Sequence, residues 1–136
     1  MHLQVYAQRP DVTAVIHAHP VFATALSVAG LEFPQDILPE GVALLGEVPT
    51  TAFAAPSTTE DADAIRGLIG RHDGILLRQH GTLTCGRDLT AALILLERIE
   101  YVAEVFHRAH ALGHLERLSA EDRRRLEQVR GAPGKR

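Results

Sequence analysis

Val12-Thr13-Ala14-Val15-Ile16-His17-Ala18-His19-Pro20 is the stretch on which the reading of this chain turns. Val12 to His17 is a β-branched, apolar run and predicts a strand. Side chains two positions apart on a strand point to the same face, so His17 and His19 can present two imidazoles to one point. Pro20 suits the first turn of a helix, and that helix carries Val21, Phe22, Ala25, Leu26 and Val28 before stopping at Gly30.

Working outward, residues 2–9 read as a helix, with Leu3 and Tyr6 at i, i+3, ended by Pro10, which disfavours α geometry before it. Asp11 opens a turn. Residues 31–47 are broken by Pro34 and Pro39, and Ile37-Leu38 fits strand or helix. Val48 to Phe53 predicts a strand. Ser57-Thr58-Thr59-Glu60 is a capping box, Ser57 as N-cap and Glu60 at the third helical position. It starts a helix to about Arg71 whose buried stripe is Ala64, Ile65, Leu68 and Ile69. Ile75-Leu76-Leu77 is a short apolar strand, and Thr82 to Cys85 continues after Gly81 as its hairpin partner. Asp88 caps the longest helix, 89–112, with Gly113 just past its end. Ser119 to Arg130 is a short charged helix beginning Ser119-x-x-Asp122, and Gly131 to Arg136 is expected to be disordered. Strands mixed with helices predict a layered α/β domain over residues 1–130.

The bulk numbers exclude several function classes. A chain of 136 residues, 46% apolar, fits one domain with a real core. No apolar run approaches the roughly 20 residues that span a bilayer. Met1-His2-Leu3-Gln4 carries no basic and apolar signal segment. The single Cys85 excludes an intrachain disulfide framework, which makes the cytoplasm the expected compartment. Net charge is −3, and the one basic run, Arg123-Arg124-Arg125, sits among Glu121, Asp122 and Glu127. That is a solvated helix face, not the basic stripe that nucleic-acid binding needs.

Two half-buried imidazoles on one strand face need partners. A third histidine, in Gln79-His80-Gly81, follows an apolar strand at a point where glycine lets the backbone turn and present a side chain inward. His17, His19 and His80 together would make a His₃ set, the ligand count of a catalytic zinc-type site with a coordination position left open. His107, His110 and His114 form an i, i+3, i+7 stripe, but they fall in the last turns of the long helix, where helix-end electrostatics suffice. His72, also at a helix end, reads as structural, His2 is too near the terminus to assign, and Cys85 reads as a small core residue. An open metal site that polarises a carbonyl also needs a proton carrier. Glu40, in Leu38-Pro39-Glu40-Gly41, is the candidate, with an ordinary exposed loop glutamate as the equal alternative. Glu97 and Glu100 read as surface or interface charges.

These residues also carry a resemblance. Tyr6…Arg9-Pro10-Asp11-Val12…His17-Ala18-His19-Pro20, then Pro49…Phe53…Pro56-Ser57-Thr58, then Leu76-Leu77-Arg78-Gln79-His80-Gly81…Gly86-Arg87-Asp88-Leu89 resemble, in order, blocks of the class II aldolase/adducin family, with L-fuculose-phosphate aldolase-like members the nearest in look. The similarity runs over about residues 1–112. It implies a three-layer α/β/α domain with a mainly antiparallel central sheet, and a homo-oligomer, commonly a tetramer, with sites at subunit interfaces. It implies that His17, His19 and His80 bind a divalent metal, usually Zn²⁺; imidazoles also accept Mn²⁺ or Co²⁺. It implies reversible carbon–carbon cleavage of a small phosphorylated sugar, a ketose phosphate such as L-fuculose 1-phosphate, through a metal-stabilised enediolate.

The departures shape the expectations as well. The Gly- and Ser-rich phosphate loops and the acid/base glutamate of the family precede the block where this chain starts, so the domain is expected to be incomplete at its amino terminus, with exposed apolar sheet edges that drive assembly. Glu40 lies 21 residues after His19, a spacing that resembles the functional glutamate of methylthioribulose-phosphate dehydratases. The carboxy-terminal tyrosine of some aldolases has no counterpart, since Tyr6 and Tyr101 are the only tyrosines. Three functions therefore compete: an aldolase, a sugar-phosphate 4-epimerase or dehydratase using the same metal and Glu40, and a non-catalytic adducin-like oligomerising module.

Overall fold

The structure is a computed structural model that describes residues 1–130; the expectation for Gly131–Arg136 lies outside them. Helix α1 (His2–Gln8) leads into strand β1 (Ala14–Ala18), helix α2 (Val21–Val28), a π-helical turn (Gly41–Leu45) and helix α3 (Thr59–Arg66). Strands β2 (Gly74–Leu77) and β3 (Gly81–Gly86) then form a hairpin, followed by α4 (Leu89–Ala111) and α5 (Ala120–Arg130). The sheet has the order β1-β3-β2 and is antiparallel throughout, with His17 opposite Leu83, Ala18 opposite Thr82 and Leu77 opposite Gly81.

Helices cover both faces, and the strand residues divide between them with period two. Ile75 and Leu77 of β2, with Leu83 and Cys85 of β3, pack on Val5 of α1, Ile65 of α3 and Ile69. Leu76 points the other way, into a core with Ala23 and Leu26 of α2 and Ile99, Val102 and Phe106 of α4. A strand covered on both sides reads as an unbroken apolar run, which is what Ile75-Leu76-Leu77 is. Thr82 and Thr84 are fully buried on the α4 side. Thr84 satisfies its hydroxyl by donating to the Ala92 carbonyl at 3.0 Å.

Several boundaries move. Val48 to Phe53 is not a strand; residues 49–51 run parallel beside β2 through one bridge, Thr50 to Leu76, and Phe53 is exposed. Pro49 has no N–H to extend that pairing. The expected capping box slips by one residue: Thr58 is the N-cap and accepts from the Glu60 amide, while Ser57 takes φ 64°. The Glu60 carboxylate still reaches back, to the Ala55 amide at 3.1 Å. The helix ends at Arg66 rather than near Arg71, and Ile69 is buried from a run of turns. Asp88 does cap α4, accepting from the Ala91 amide at 2.7 Å. Gly30 stops α2 as expected. Its φ of 71° lets Leu31 donate to Leu26 and Gly30 to Ser27, the paired closure of a Schellman end.

Among the described residues no helix is long and apolar enough to cross a membrane. The Arg123–Arg125 run lies exposed on α5, with Arg125 3.7 Å from Asp122.

Candidate metal centre

His17 lies on β1, His19 directly follows it, and His80 occupies the three-residue turn of the β2–β3 hairpin, at the same end of the sheet. Their ring centroids are 4.7 to 5.0 Å apart. One nitrogen from each lies within 4.8 Å of the other two. The Nε2 atoms of His17 and His19 face each other at 3.1 Å.

Local structure explains the convergence. His17 Nδ1 is 2.9 Å from the Thr82 carbonyl of the paired strand. A carbonyl only accepts, so Nδ1 carries the proton and the Nε2 lone pair turns toward the other two rings. The hairpin turn is closed by the His80 amide donating to the Leu77 carbonyl at 3.0 Å. Its sharp residue is Gln79, at φ 54°, and not the glycine. Gly81 is required for room instead: a Cβ there would stand 2.3 Å from the Ala18 carbonyl oxygen and 2.7 Å from the His19 ring.

Burial, followed by the neighbouring His17 and His19, pushes the His80 pKa below its ordinary value of 6.5, against a smaller opposing effect of Asp61. His80 is thereby kept in the neutral form that a metal ligand requires. The donor set suits a cation such as Zn²⁺, which takes imidazole nitrogen at about 2.0–2.1 Å in tetrahedral geometry. Nitrogens that face one another across a few ångströms, with one proton position already committed to a carbonyl, fit that demand.

Other candidates fall differently. Glu40 is exposed at the start of the π-helical turn and lies outside the three-histidine group. His107 packs against Phe22 and His110 stacks on Phe106, at 5.4 and 5.8 Å. Among the described residues, the stripe they form with His114 makes no metal-sized cluster. His72 holds the loop before β2, its Nδ1 3.3 Å from the Glu47 carbonyl. His2 is exposed on α1, its pKa lowered by burial of the ring, the amino terminus and His17. Cys85 is a core residue, 2% exposed, and burial pushes its thiol up to about 11. A cavity of about 1320 Å³ opens at the opposite end of the sheet beside Arg9, Asp73 and Cys85, and none of the three histidines lines it.

Three residues near the triad escaped the sequence reading. Glu100 is not a free surface charge: its carboxylate oxygens accept the amides of Phe22 and Ala23 at 2.8 and 2.9 Å, capping α2 just after His19. A carboxylate on a helix N-terminus contributes up to about 2 kcal/mol in a partly buried setting. Asp61, 8% exposed, accepts from the Ser57 amide at 3.0 Å and shares a cavity of about 10 Å³ with His80, Arg78 and Thr51. Ser27, on α2, accepts from the Gln79 amide at 2.6 Å. A carboxylate at the third helical turn, or a serine among apolar residues, gives no one-dimensional sign of such partners.

Comparison with known proteins follows the same residues. The family model described as the Class II Aldolase and Adducin N-terminal domain matches residues 1–107. The chain is 32% identical over 107 residues to an L-fuculose phosphate aldolase of Methanococcus vannielii, covering 79% of this chain and 58% of that protein. It is 32% identical over 126 residues to a 5-methylthioribulose-1-phosphate/5-deoxyribulose-1-phosphate aldolase of Rhodospirillum rubrum, covering 92% and 57%. The crystal structure of YgbL from Klebsiella pneumoniae, whose description leaves aldolase, epimerase and decarboxylase as alternatives, superposes with a TM-score of 0.83 at 29% identity. That match covers 92% of this chain and 62% of the other. The chain thus spans a little under three fifths of the two curated relatives.

Proposed function

The chain belongs to the class II aldolase and adducin family, and on that premise we propose that His17, His19 and His80 hold a divalent cation, Zn²⁺ first, for aldol cleavage of a phosphorylated ketose such as L-fuculose 1-phosphate. The observation that carries the reading is the approach of three imidazole nitrogens to within 4.8 Å of one another. An adducin-like module with no chemistry has no use for such a set. When bound, the cation supplies Lewis-acid polarisation of adjacent hydroxyl and carbonyl oxygens.

The protein's own residues supply the geometry. The Thr82 carbonyl fixes the His17 tautomer, Gly81 lets the His19 ring lie against the hairpin, and the left-handed Gln79 carries His80 into the group. Three protein ligands would hold such an ion and leave it open to a further ligand. Glu40 is the proton carrier in this proposal; its support is its spacing of 21 residues from His19. The same reading makes the protein a cytoplasmic homotetramer, and light scattering checks the tetramer.

The test is retro-aldol turnover of L-fuculose 1-phosphate by the metal-free protein and after addition of Zn²⁺, with dihydroxyacetone phosphate detected by a coupled reduction. Zinc-dependent turnover that disappears in His80→Ala is expected. Zinc binding without cleavage would shift the assignment to the epimerase or dehydratase chemistry, where Glu40→Gln should abolish activity and spare the metal. Protein that neither holds nor answers to zinc would favour the scaffold.

A further inference from the structure

We propose that Ser27 is a positioning residue for His80, acting through the main-chain amide of Gln79, an inference that rests on the metal-centre reading above. Ser27 is the penultimate residue of α2, 1% exposed, on a helix whose Ala23 and Leu26 join the core with α4 and β2. Serine is a poor choice for packing there, and its hydroxyl needs a partner. Its short bond is the 2.6 Å one accepted from Gln79 N–H, fifty-two residues away in sequence. A second contact, to the Leu77 carbonyl at 3.5 Å, is too long to matter much.

Gln79 stands at φ 54°, a left-handed conformation that is unfavourable for a residue with a side chain. The turn around it has one internal backbone bond, from the His80 amide to Leu77. The Ser27 hydroxyl therefore holds the strained residue from outside the turn, immediately before the ligand. Helix α2 is itself fixed: Glu100 caps its first turn and the Schellman closure at Gly30 ends it. It also begins two residues after His19. One rigid helix thus sets His19 at its start and, through Ser27, His80 near its end. Hydroxyls on α2 are not tied in general, because Thr24 Oγ1 is buried with no partner among the described residues.

Cobalt(II) titration of the metal-free chain, read by visible absorption, tests the idea without any turnover. Ser27→Ala is expected to weaken Co²⁺ binding about 10- to 100-fold, the range for loss of a group that orients a ligand, and to alter the absorption band. Thr24→Val should bind as the unaltered protein does. In a His80→Ala background, Ser27→Ala should make no further difference, since its effect runs through that imidazole. If Ser27→Ala fails to fold, Ser27→Cys, with its weaker acceptor, should lose affinity in the same direction by a smaller factor. Full affinity in the Ser27 variants, or an equal loss with His80 already gone, would overturn the role of Ser27 alone. Absence of Co²⁺ binding by the unaltered chain would overturn the metal-centre reading and this inference with it.

Discussion

At the Ala18–Gly81 end of the sheet three imidazoles face one another without an ion pair among the described residues, whereas at the Ala14–Gly86 end Arg9 is enclosed by acceptors. The Arg9 guanidinium donates to Asp11 at 2.7 and 2.9 Å, to Asp73 at 2.8 Å and to the Ile69 carbonyl at 3.1 Å. Bonding to the two aspartates raises its pKa further, and bonding to Arg9 holds the Asp11 carboxyl at about 2. Each nitrogen of that guanidinium has an acceptor. At the histidine end like groups are held together, His17 and His19 meeting nitrogen to nitrogen at 3.1 Å, with no carboxylate bonded to any of the three rings among the described residues. A saturated cluster ties elements together; the histidine cluster, held in place by Thr82, Gly81 and the Gln79 turn, has the donor set that the proposed cation would need. Although a cavity of about 1320 Å³ lies at the saturated end, the proposed chemistry belongs to the other.

Removing a ligand should break the contrast most strongly. His80→Ala is expected to weaken Co²⁺ or Zn²⁺ binding more than about 100-fold, beyond the loss typical of a supporting partner. The apo protein's unfolding midpoint should hardly move, because His80 is half-exposed in a turn. A large fall in apo stability would mean that the triad is a structural knot like the Arg9 cluster.

Gly81→Ala comes next and should damage both properties at once. The added methyl has no room between the Ala18 carbonyl and the His19 ring, and forced repacking of this kind costs about 1–3 kcal/mol. Metal affinity should fall as well, since the ring must swing away. Denaturant unfolding and metal titration on one preparation separate the two effects.

Arg9→Met sharpens the comparison from the opposite end. It removes the guanidinium and keeps most of the apolar stem. Asp11 and Asp73 are 63% and 57% exposed, so solvent screening keeps the loss of stability in denaturant unfolding below that of Gly81→Ala. Metal affinity should be unchanged, and any loss there would show that the two ends are coupled through the strands.

The same two ends explain what the sequence could disclose. His17 and His19 were legible because period-two geometry is local, and Asp88 and Gly30 because caps bond within a few residues. The β2–β3 hairpin was legible as two apolar runs about a glycine, though the reason for that glycine was not; only the fold shows Ala18 and His19 pressed against it. Ser57 and Thr58 are both sound caps, and tertiary placement chose between them. Glu100, Asp61 and Ser27 were silent because each bonds to backbone or acts on a ring whose proximity the fold alone creates. Val48 to Phe53 misled because its composition suits a strand while Pro49 and the outward course after Thr51 deny it partners.

Acidification offers the smallest and most selective test, since the two ends should fail in different windows. The folded His80 has a lowered pKa, so the unfolded chain takes up a proton first as pH falls below 6.5. That contribution to stability is intact above pH 6.5 and is lost as pH drops through the folded value. Asp11 is also lowered, from 3.8 to about 2, so its contribution is intact above pH 3.8 and disappears between there and about pH 2. Unfolding midpoints of the metal-free protein measured from pH 7.5 downward should therefore show a shallow first loss and a separate second one. His80→Ala should reduce only the first, which His2, also lowered, shares, and Arg9→Met should reduce only the second. If one substitution flattens both, the ends of the sheet are a single electrostatic unit, and the division between a saturated and an unsaturated cluster does not hold.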